Sequence, residues 1–317
     1  MKSSLCIVAN NIHSGGGQVV LESFIMSELK NYKSITCHVN KNIKWNIELP
    51  ENVKIINCKS DLFSRLKKEW EIYKSSKNFT DIYFLGNLPP IFKNKSHTYL
   101  YFHNKLLIDA SMAKFSTKQQ LGFYIQKLWL NCFLKNVNTV LVQSSLMKKD
   151  FSKKFPKKNV QIKAYLPFHD IENVKKTPPQ KIKNSLIYVG SDLPHKNIKP
   201  LLKCISHLKS QGIEIYFHAT LSPECQTLEP ELLKCVDDFI HSKDRLELLT
   251  LIQNSEFLVF PSLNESFGLP LWEAKQLGTK VIAADLEYVH EIIEPDFVFD
   301  PLDTKDMERV IKRALQS

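Results

Sequence analysis

The chain has no stretch of about 18 uninterrupted apolar residues, the least a bilayer-spanning helix needs. Its first apolar run, Leu5 to Ala9, passes into Asn10, Asn11 and His13 without a secretory apolar core. The expected location is the cytosol. No C-x-x-C pair is present either. Seven cysteines, Cys6, Cys37, Cys58, Cys132, Cys204, Cys225 and Cys235, form an odd set that fits neither a disulfide framework nor a zinc knuckle. They read as reduced, mostly buried thiols. Internal repeats and low-complexity tracts are absent, and a content of 43% hydrophobic and 24% charged residues excludes collagen, coiled coil and bulk disorder.

What is present is length for two domains, 317 residues at roughly 150 each, and a net charge of +10. Lys135 to Lys183 holds twelve lysines against Asp150, Asp170 and Glu172, so nine of those ten charges fall in 49 residues. Short β-branched or aromatic runs alternate with helical patterns. They are Leu5 to Ala9, Ile82 to Leu85, Thr98 to Phe102, Thr139 to Val142, Leu186 to Val189, Ile213 to Phe217, Phe257 to Phe260 and Lys280 to Ala283. Such alternation predicts βαβ units and parallel sheets, an α/β protein. After Asn197, a candidate N-cap, Ile198, Leu201, Leu202, Ile205 and Leu208 form one stripe of a helix that packs on a sheet. From Pro167 to Lys183 the apolar rhythm lapses around Thr177, Pro178 and Pro179, which predicts an extended linker between domains at 1–170 and 171–317.

The strongest chemical signal is Pro261-Ser262-Leu263-Asn264-Glu265-Ser266-Phe267-Gly268-Leu269-Pro270-Leu271-Trp272-Glu273-Ala274, directly after the strand ending at Phe260. Pro270 suits the first helical position. The N–H groups around Phe267, Gly268 and Leu269 would then face whatever occupies the carboxyl end of the strand, a natural anion site. Glu265 in the loop and Glu273 in the first helical turn can reach one ligand and accept hydroxyl hydrogen bonds from a sugar or ribose. By spacing alone they equally fit a plain role, with Glu273 complementing the helix dipole and Glu265 in solvent.

This stretch resembles the donor-site signature of the family 4 glycosyltransferases of GT-B fold, two glutamates separated by seven residues in a P-S-x-x-E-x-F-G-x-P-x-x-E-A setting. The similarity runs on through Gly278 to Ala283, to Glu291 and to Phe299-Asp300-Pro301. Upstream, Tyr188-Val189-Gly190-Ser191 with His195-Lys196-Asn197 resembles the family's phosphate-binding strand and loop. Roughly 130 C-terminal residues match continuously. The resemblance implies two Rossmann-like domains with parallel sheets facing across a cleft, the first binding the acceptor and the second the nucleotide sugar. It assigns Glu273 to the ribose hydroxyls, Glu265 to the donor sugar, and Lys196 with the loop amides to the diphosphate.

The N-terminal half matches more thinly. Asn10 to Gly17 lies where the family carries a glycine-rich loop under the donor phosphates, and Gly15, Gly16 and Gly17 let the backbone approach a ligand closely. A dinucleotide fingerprint would need a glycine where Val20 stands, and a P-loop would need Gly-Lys-Ser or Gly-Lys-Thr, which is absent. A plain glycine turn remains open. Tyr99 to Phe102 ends in His103-Asn104, and in the resembling family a histidine here faces the donor sugar. By itself His103 reads as a hydrogen-bonded core residue.

The sequence departs from the family where an arginine usually follows the V-G step. Ser191-Asp192-Leu193-Pro194 stands there instead, leaving backbone amides or His195 to help Lys196. Leu121 to Leu134 is apolar and aromatic, with Trp129 and Phe133, and the adjacent Lys148, Lys149, Lys153, Lys154, Lys157 and Lys158 would attract anionic lipid. The same segment also fits a core helix beside solvated lysines.

The resemblance implies a retaining transfer from a UDP- or GDP-sugar, without an essential metal or other cofactor. The acceptor would be a glycan on a lipid-diphosphate carrier, in O-antigen or capsule assembly. The partners implied are donor, acceptor and an anionic membrane surface, with no nucleic acid. The alternative is a non-catalytic basic protein that binds anions or membrane with a degenerate donor cleft. A dinucleotide oxidoreductase is weakened by Val20.

Overall fold

The structure is a computed structural model that describes residues 2–12, 15–59, 61–109, 115–240 and 244–317. The chain divides into two compact units, one holding the residues up to Asp109 with Ser116–Pro167, the other Phe168–Ser317.

In the first unit seven strands form an all-parallel sheet: β1 (Lys2–Ala9), β2 (Tyr32–Asn40), β3 (Val53–Cys58), β4 (Asp81–Leu85), β5 (His97–Tyr101), β6 (Thr139–Val142) and β7 (Asn159–Ile162). Their order is β3-β2-β1-β4-β5-β6-β7. The helices are α1 (Gly15–Glu28), α2 (Leu62–Ser75), α3 (Thr117–Phe133) and α4 (Ser145–Lys154). The two-residue side-chain period of a strand sends Cys6, Val8, Ile82, Phe84, Leu100, Phe102, Val140 and Val142 to one face, where they meet Ile72, Leu130, Met147 and Phe151 of α2, α3 and α4. The opposite face receives α1, whose Phe24 packs on Tyr83 and Tyr165 at ring distances of 4.8 and 4.6 Å.

The second unit begins with α5 (Phe168–Lys175) and carries a six-stranded parallel sheet. Its strands are β8 (Ile182–Tyr188), β9 (Tyr216–Ala219), β10 (Asp238–Phe239), β11 (Ser255–Phe260), β12 (Lys280–Ala284) and β13 (Phe297–Phe299), in the order β10-β9-β8-β11-β12-β13. Its other helices are α6 (Ile198–Ser210), α7 (Pro230–Leu233), α8 (Arg245–Asn254), α9 (Leu269–Leu277), α10 (Glu287–Ile292) and α11 (Thr304–Leu315). The predicted stripe of α6 is buried with Met307, Val310, Ile311 and Ala314 of α11 on one face of this sheet.

Several expectations need correction. The polar stretch after Pro167 is not an extended linker through its whole length, because α5 occupies its first half. Ile171 and Val174 are buried, and α5 packs against α8 and α9. A helix of eight residues with two buried positions leaves too weak a periodic signal to read from sequence. The strand expected at Ile213 starts instead at Tyr216, because α6 closes in a Schellman motif. Gly212 adopts φ +81°, its N–H bonds to the Lys209 carbonyl and the Ile213 N–H to the Leu208 carbonyl. Asn197 precedes α6 but gives it no side-chain cap. It sits in the left-handed region and its Nδ2 donates to the Pro301 carbonyl at 2.9 Å. Pro270 is the second residue of α9, since the helix starts at Leu269. Of the thiols, Cys6, Cys37, Cys58, Cys204 and Cys235 are buried, Cys225 is partly so and Cys132 is exposed; all are free. No described helix is long and apolar enough to cross a membrane.

Candidate functional site

In the second unit the signature residues gather at the carboxyl ends of β8 and β11. The Leu263 N–H donates to the His195 carbonyl at 2.7 Å and so joins the two loops. This places Lys196 Nζ 2.6 Å from Glu265 Oε1, with side chains only 19% and 13% exposed. Gly268 precedes α9 with φ +80°, a conformation that favours glycine. The first-turn amides of α9 have no helical carbonyl to bond, and Phe267, Gly268 and Leu269 therefore lie at an N-terminus suited to anions. Behind the loops, the Tyr288 hydroxyl donates to the Ser262 carbonyl at 2.6 Å. Pro301, in the segment that resembles the family's closing motif, accepts from Asn197 beside Lys196.

Glu273 is 1% exposed and pairs with a residue that sequence reading missed. Arg245 Nη2 lies 2.5 Å from Glu273 Oε1, and Arg245 Nε lies 3.2 Å from Asp170 Oδ2. Burial opposes the Arg245 charge, but Glu273 and Asp170 outweigh it and raise its pKa. Arg245 opens α8 after the capping residue Asp244, a position that carries no ligand signal. Asp170 belongs to α5, inside the expected linker.

The region of the missing arginine is acidic. Asp192 accepts from the Thr227 hydroxyl, a bond that holds its carboxyl below the usual range. Burial pushes the His195 imidazole down to about 4, with Glu265 opposing and Lys196 assisting. At neutral pH His195 therefore contributes no positive charge to an anion, and Lys196 and Arg245 are the cations seen on the signature glutamates.

In the first unit His103 sits just beyond the carboxyl end of β5. Its backbone N–H donates to Asn87 Oδ1 at 2.6 Å, and Asn87 Nδ2 lies 3.4 Å from its Nε2. Burial pushes its pKa down to about 4. Asn87 follows β4 in the left-handed region, and Asn11, beyond β1, donates through Nδ2 to the Gly86 carbonyl at 2.7 Å. The glycines behave differently from the expected loop: Gly15, Gly16 and Gly17 form the first turn of α1, while His13 and Ser14 lie outside the described residues. A Cβ would meet nothing within 4 Å at Gly15 or Gly16, so open space, rather than crowding by the protein, surrounds them.

Helix α3 corrects the proposed membrane anchors. Trp129 Nε1 donates to the Pro89 carbonyl at 2.9 Å, and the Arg65 guanidinium lies over its ring at 4.7 Å, so Trp129 is tied to the unit. The outward stripe is instead Leu121, Tyr124, Ile125 and Leu128, each 45% to 59% exposed. Lys127 of α3 acts on Lys154 of α4, whose pKa is lowered by burial and then by this neighbour.

Comparison with known proteins fits these geometries. The sequence model of the family described as Glycosyl transferases group 1 matches residues 170–317. The O-antigen chain mannosyltransferase RfbU of Salmonella typhimurium is 27% identical over 203 residues, 61% of this chain and 56% of that protein. The chain thus aligns with little more than half of that relative. Among solved structures, WaaG, a glycosyltransferase involved in lipopolysaccharide biosynthesis, is 15% identical with a TM-score of 0.67, covering 99% of this chain and 90% of that one. HepE of Anabaena, solved in complex with UDP and glucose, is 12% identical with a TM-score of 0.66, covering 100% and 90%. Residues 170–317 therefore match the model of the group 1 glycosyltransferases, in a chain with the GT-B fold.

Proposed function

We propose that the protein transfers a glycosyl residue from a nucleotide diphosphate sugar to a glycan acceptor during assembly of a bacterial surface polysaccharide of O-antigen or capsule type. The observation that carries this reading is the joined pair of loops, with Lys196 on Glu265, and Glu273 in the second turn of α9 rather than the expected first. Names among the relatives, an O-antigen mannosyltransferase and a lipopolysaccharide glycosyltransferase, support the polysaccharide setting. HepE, solved with UDP, supports a nucleotide donor. UDP- and GDP-sugars are the donor classes we propose.

In this reading the reaction retains anomeric configuration and uses no resident metal. The acceptor hydroxyl attacks on the face from which the nucleotide diphosphate departs, and a leaving diphosphate oxygen takes up the hydroxyl proton. Catalysis then rests on positioning and on stabilising the developing diphosphate charge. Lys196 and the α9 amides meet that charge. Glu273 accepts from the ribose hydroxyls, Glu265 from the donor sugar, and His103 contacts the reacting sugar.

The acceptor we propose is lipid-linked, used at the cytosolic face of a membrane that the protein binds peripherally. Support comes from the exposed α3 stripe and from Lys127 of α3 lying near enough to act on Lys154 of α4, because exposed apolar residues and lysines on one unit suit an anionic interface. Mass-spectrometric screening of UDP- and GDP-sugars for hydrolysis or transfer tests the activity. Turnover of at least one is expected; no turnover and no nucleotide binding would favour a degenerate donor site.

A further inference from the structure

We propose that Asn87 is a positioning residue for His103, fixing the imidazole in the tautomer that carries its proton on Nδ1 and so making Nδ1–H the donor this side chain offers to a sugar oxygen. The tautomer follows from geometry. Its bearing on the reaction rests on the reading that His103 contacts the donor sugar.

The orientation of the Asn87 amide is decided by its neighbour. A backbone N–H can only donate, so the atom 2.6 Å from the His103 nitrogen must be the amide oxygen. The amide nitrogen then faces His103 Nε2, at 3.4 Å. That nitrogen can only donate, so Nε2 must present its lone pair. A neutral imidazole has one ring proton, which is left to Nδ1. Burial keeps the ring neutral, its pKa pushed down to about 4. At 3.4 Å the contact is long, and it orients the ring more than it stabilises it.

The brace is built into the backbone. Asn87 adopts φ +73°, which asparagine tolerates better than most residues, and Gly86 before it adopts φ +114°. A Cβ on Gly86 would lie 2.1 Å from Asn11 Oδ1, so the close approach of Asn11 requires glycine there. His103 Nδ1 itself is shielded from solvent with no hydrogen-bond partner among the described residues. Buried donors rarely stay unpaired, and the missing acceptor matches the hydroxyl or ring oxygen of a sugar.

The test is two-bond 1H–15N correlation NMR of the full chain with 15N-labelled histidine at pH 7, His103 being assigned by its loss in His103→Gln. Wild type is expected to show Nδ1 protonated and Nε2 bare. Asn87→Asp keeps size, the left-handed backbone and the bond to the His103 N–H, but it offers Nε2 an acceptor. The proton should move to Nε2, which removes the Nδ1–H donor and should lower turnover roughly tenfold, the equivalent of one hydrogen bond, or the ring should gain a second proton, which keeps that donor and should leave turnover near wild type. Asn87→Gly, which keeps the backbone conformation and removes both bonds, should mix the tautomers if the aspartate variant does not fold. Wild type protonated at Nε2, or an aspartate variant still protonated at Nδ1 alone, would overturn the proposal. If the tautomers behave as stated while His103→Ala retains full turnover, the tautomer assignment stands and the sugar-facing role falls.

Discussion

Arg245 Nη2 lies 2.5 Å from Glu273 Oε1, and Arg245 is held from its other side by Asp170. The second glutamate of the signature is therefore part of a buried three-charge arrangement. A carboxylate offers about four acceptor positions on two oxygens, so the pairing leaves capacity for ribose hydroxyls while fixing the group in place.

Two substitutions at Glu273 should separate binding from folding. Glu273→Gln keeps the shape and removes the charge, and donor use should weaken by roughly ten- to a hundredfold, as expected for charge-assisted hydrogen bonds of about 1.5 to 3 kcal/mol. Either variant leaves Arg245 with Asp170 as its counter-charge, and Glu273→Ala, which also removes the acceptor, should cost the more stability, about 3 to 5 kcal/mol. Calorimetry with nucleoside diphosphate and urea unfolding of both variants check this. Unchanged donor affinity in the folded Gln variant would sink the ribose assignment.

Lys196 should account for much of any preference for a nucleoside diphosphate over the bare nucleoside, since His195 is neutral at pH 7 and Asp192 occupies the place of the usual arginine. Isothermal titration of both ligands to wild type and Lys196→Ala decides the point. A preference that persists undiminished in the mutant would locate the charge elsewhere. EDTA should leave turnover intact, and a loss restored by magnesium or manganese would refute the metal-free mechanism.

Stability should fall on mild acidification. Burial holds His38, His103 and His195 at about 4, below the ordinary value of about 6.5. Between those values the unfolded chain binds more protons than the folded one, so the free energy of unfolding decreases as pH falls through that window. The contribution is complete above about 6.5 and is lost as pH drops through the folded values. Urea midpoints at pH 7.5, 6 and 5 should decrease in order; a flat series would mean that these imidazoles titrate alike in both states.

The exposed α3 stripe should carry binding to anionic vesicles and not to neutral ones, with each lysine near the surface worth about 1 kcal/mol and screened by salt. Replacing Lys148, Lys149, Lys153 and Lys154 by glutamine should weaken co-sedimentation, as should Leu121→Ser with Ile125→Ser and Leu128→Ser. Trp129→Ala should instead destabilise the fold, because its indole is bonded to Pro89 and covered by Arg65. Equal partitioning of the wild type and the lysine variant would leave the cluster as a solvated face.

Eight strand sites, the α/β class and the signature loop were legible in the sequence because each is written locally, in two-residue or helical periods and in a strand-loop-helix order. The strands that escaped reading, β2, β3, β7, β10 and β13, are polar, short or at sheet edges, where the hydrophobic pattern is weakest. Glu265, Glu273, Lys196 and His103 were marked by resemblance to a family pattern, since by spacing alone the glutamates equally fit a plain role and His103 reads as a core residue. Their partners were not: Arg245 precedes Glu273 by 28 positions and Asp170 precedes Arg245 by 75. Asn87 precedes His103 by 16. No local period links such pairs. Parallel strands bring their carboxyl ends together only when the whole sheet has formed, so the sequence by itself determined which candidate groups the chain carries and the tertiary structure decided which charges and amides hold them.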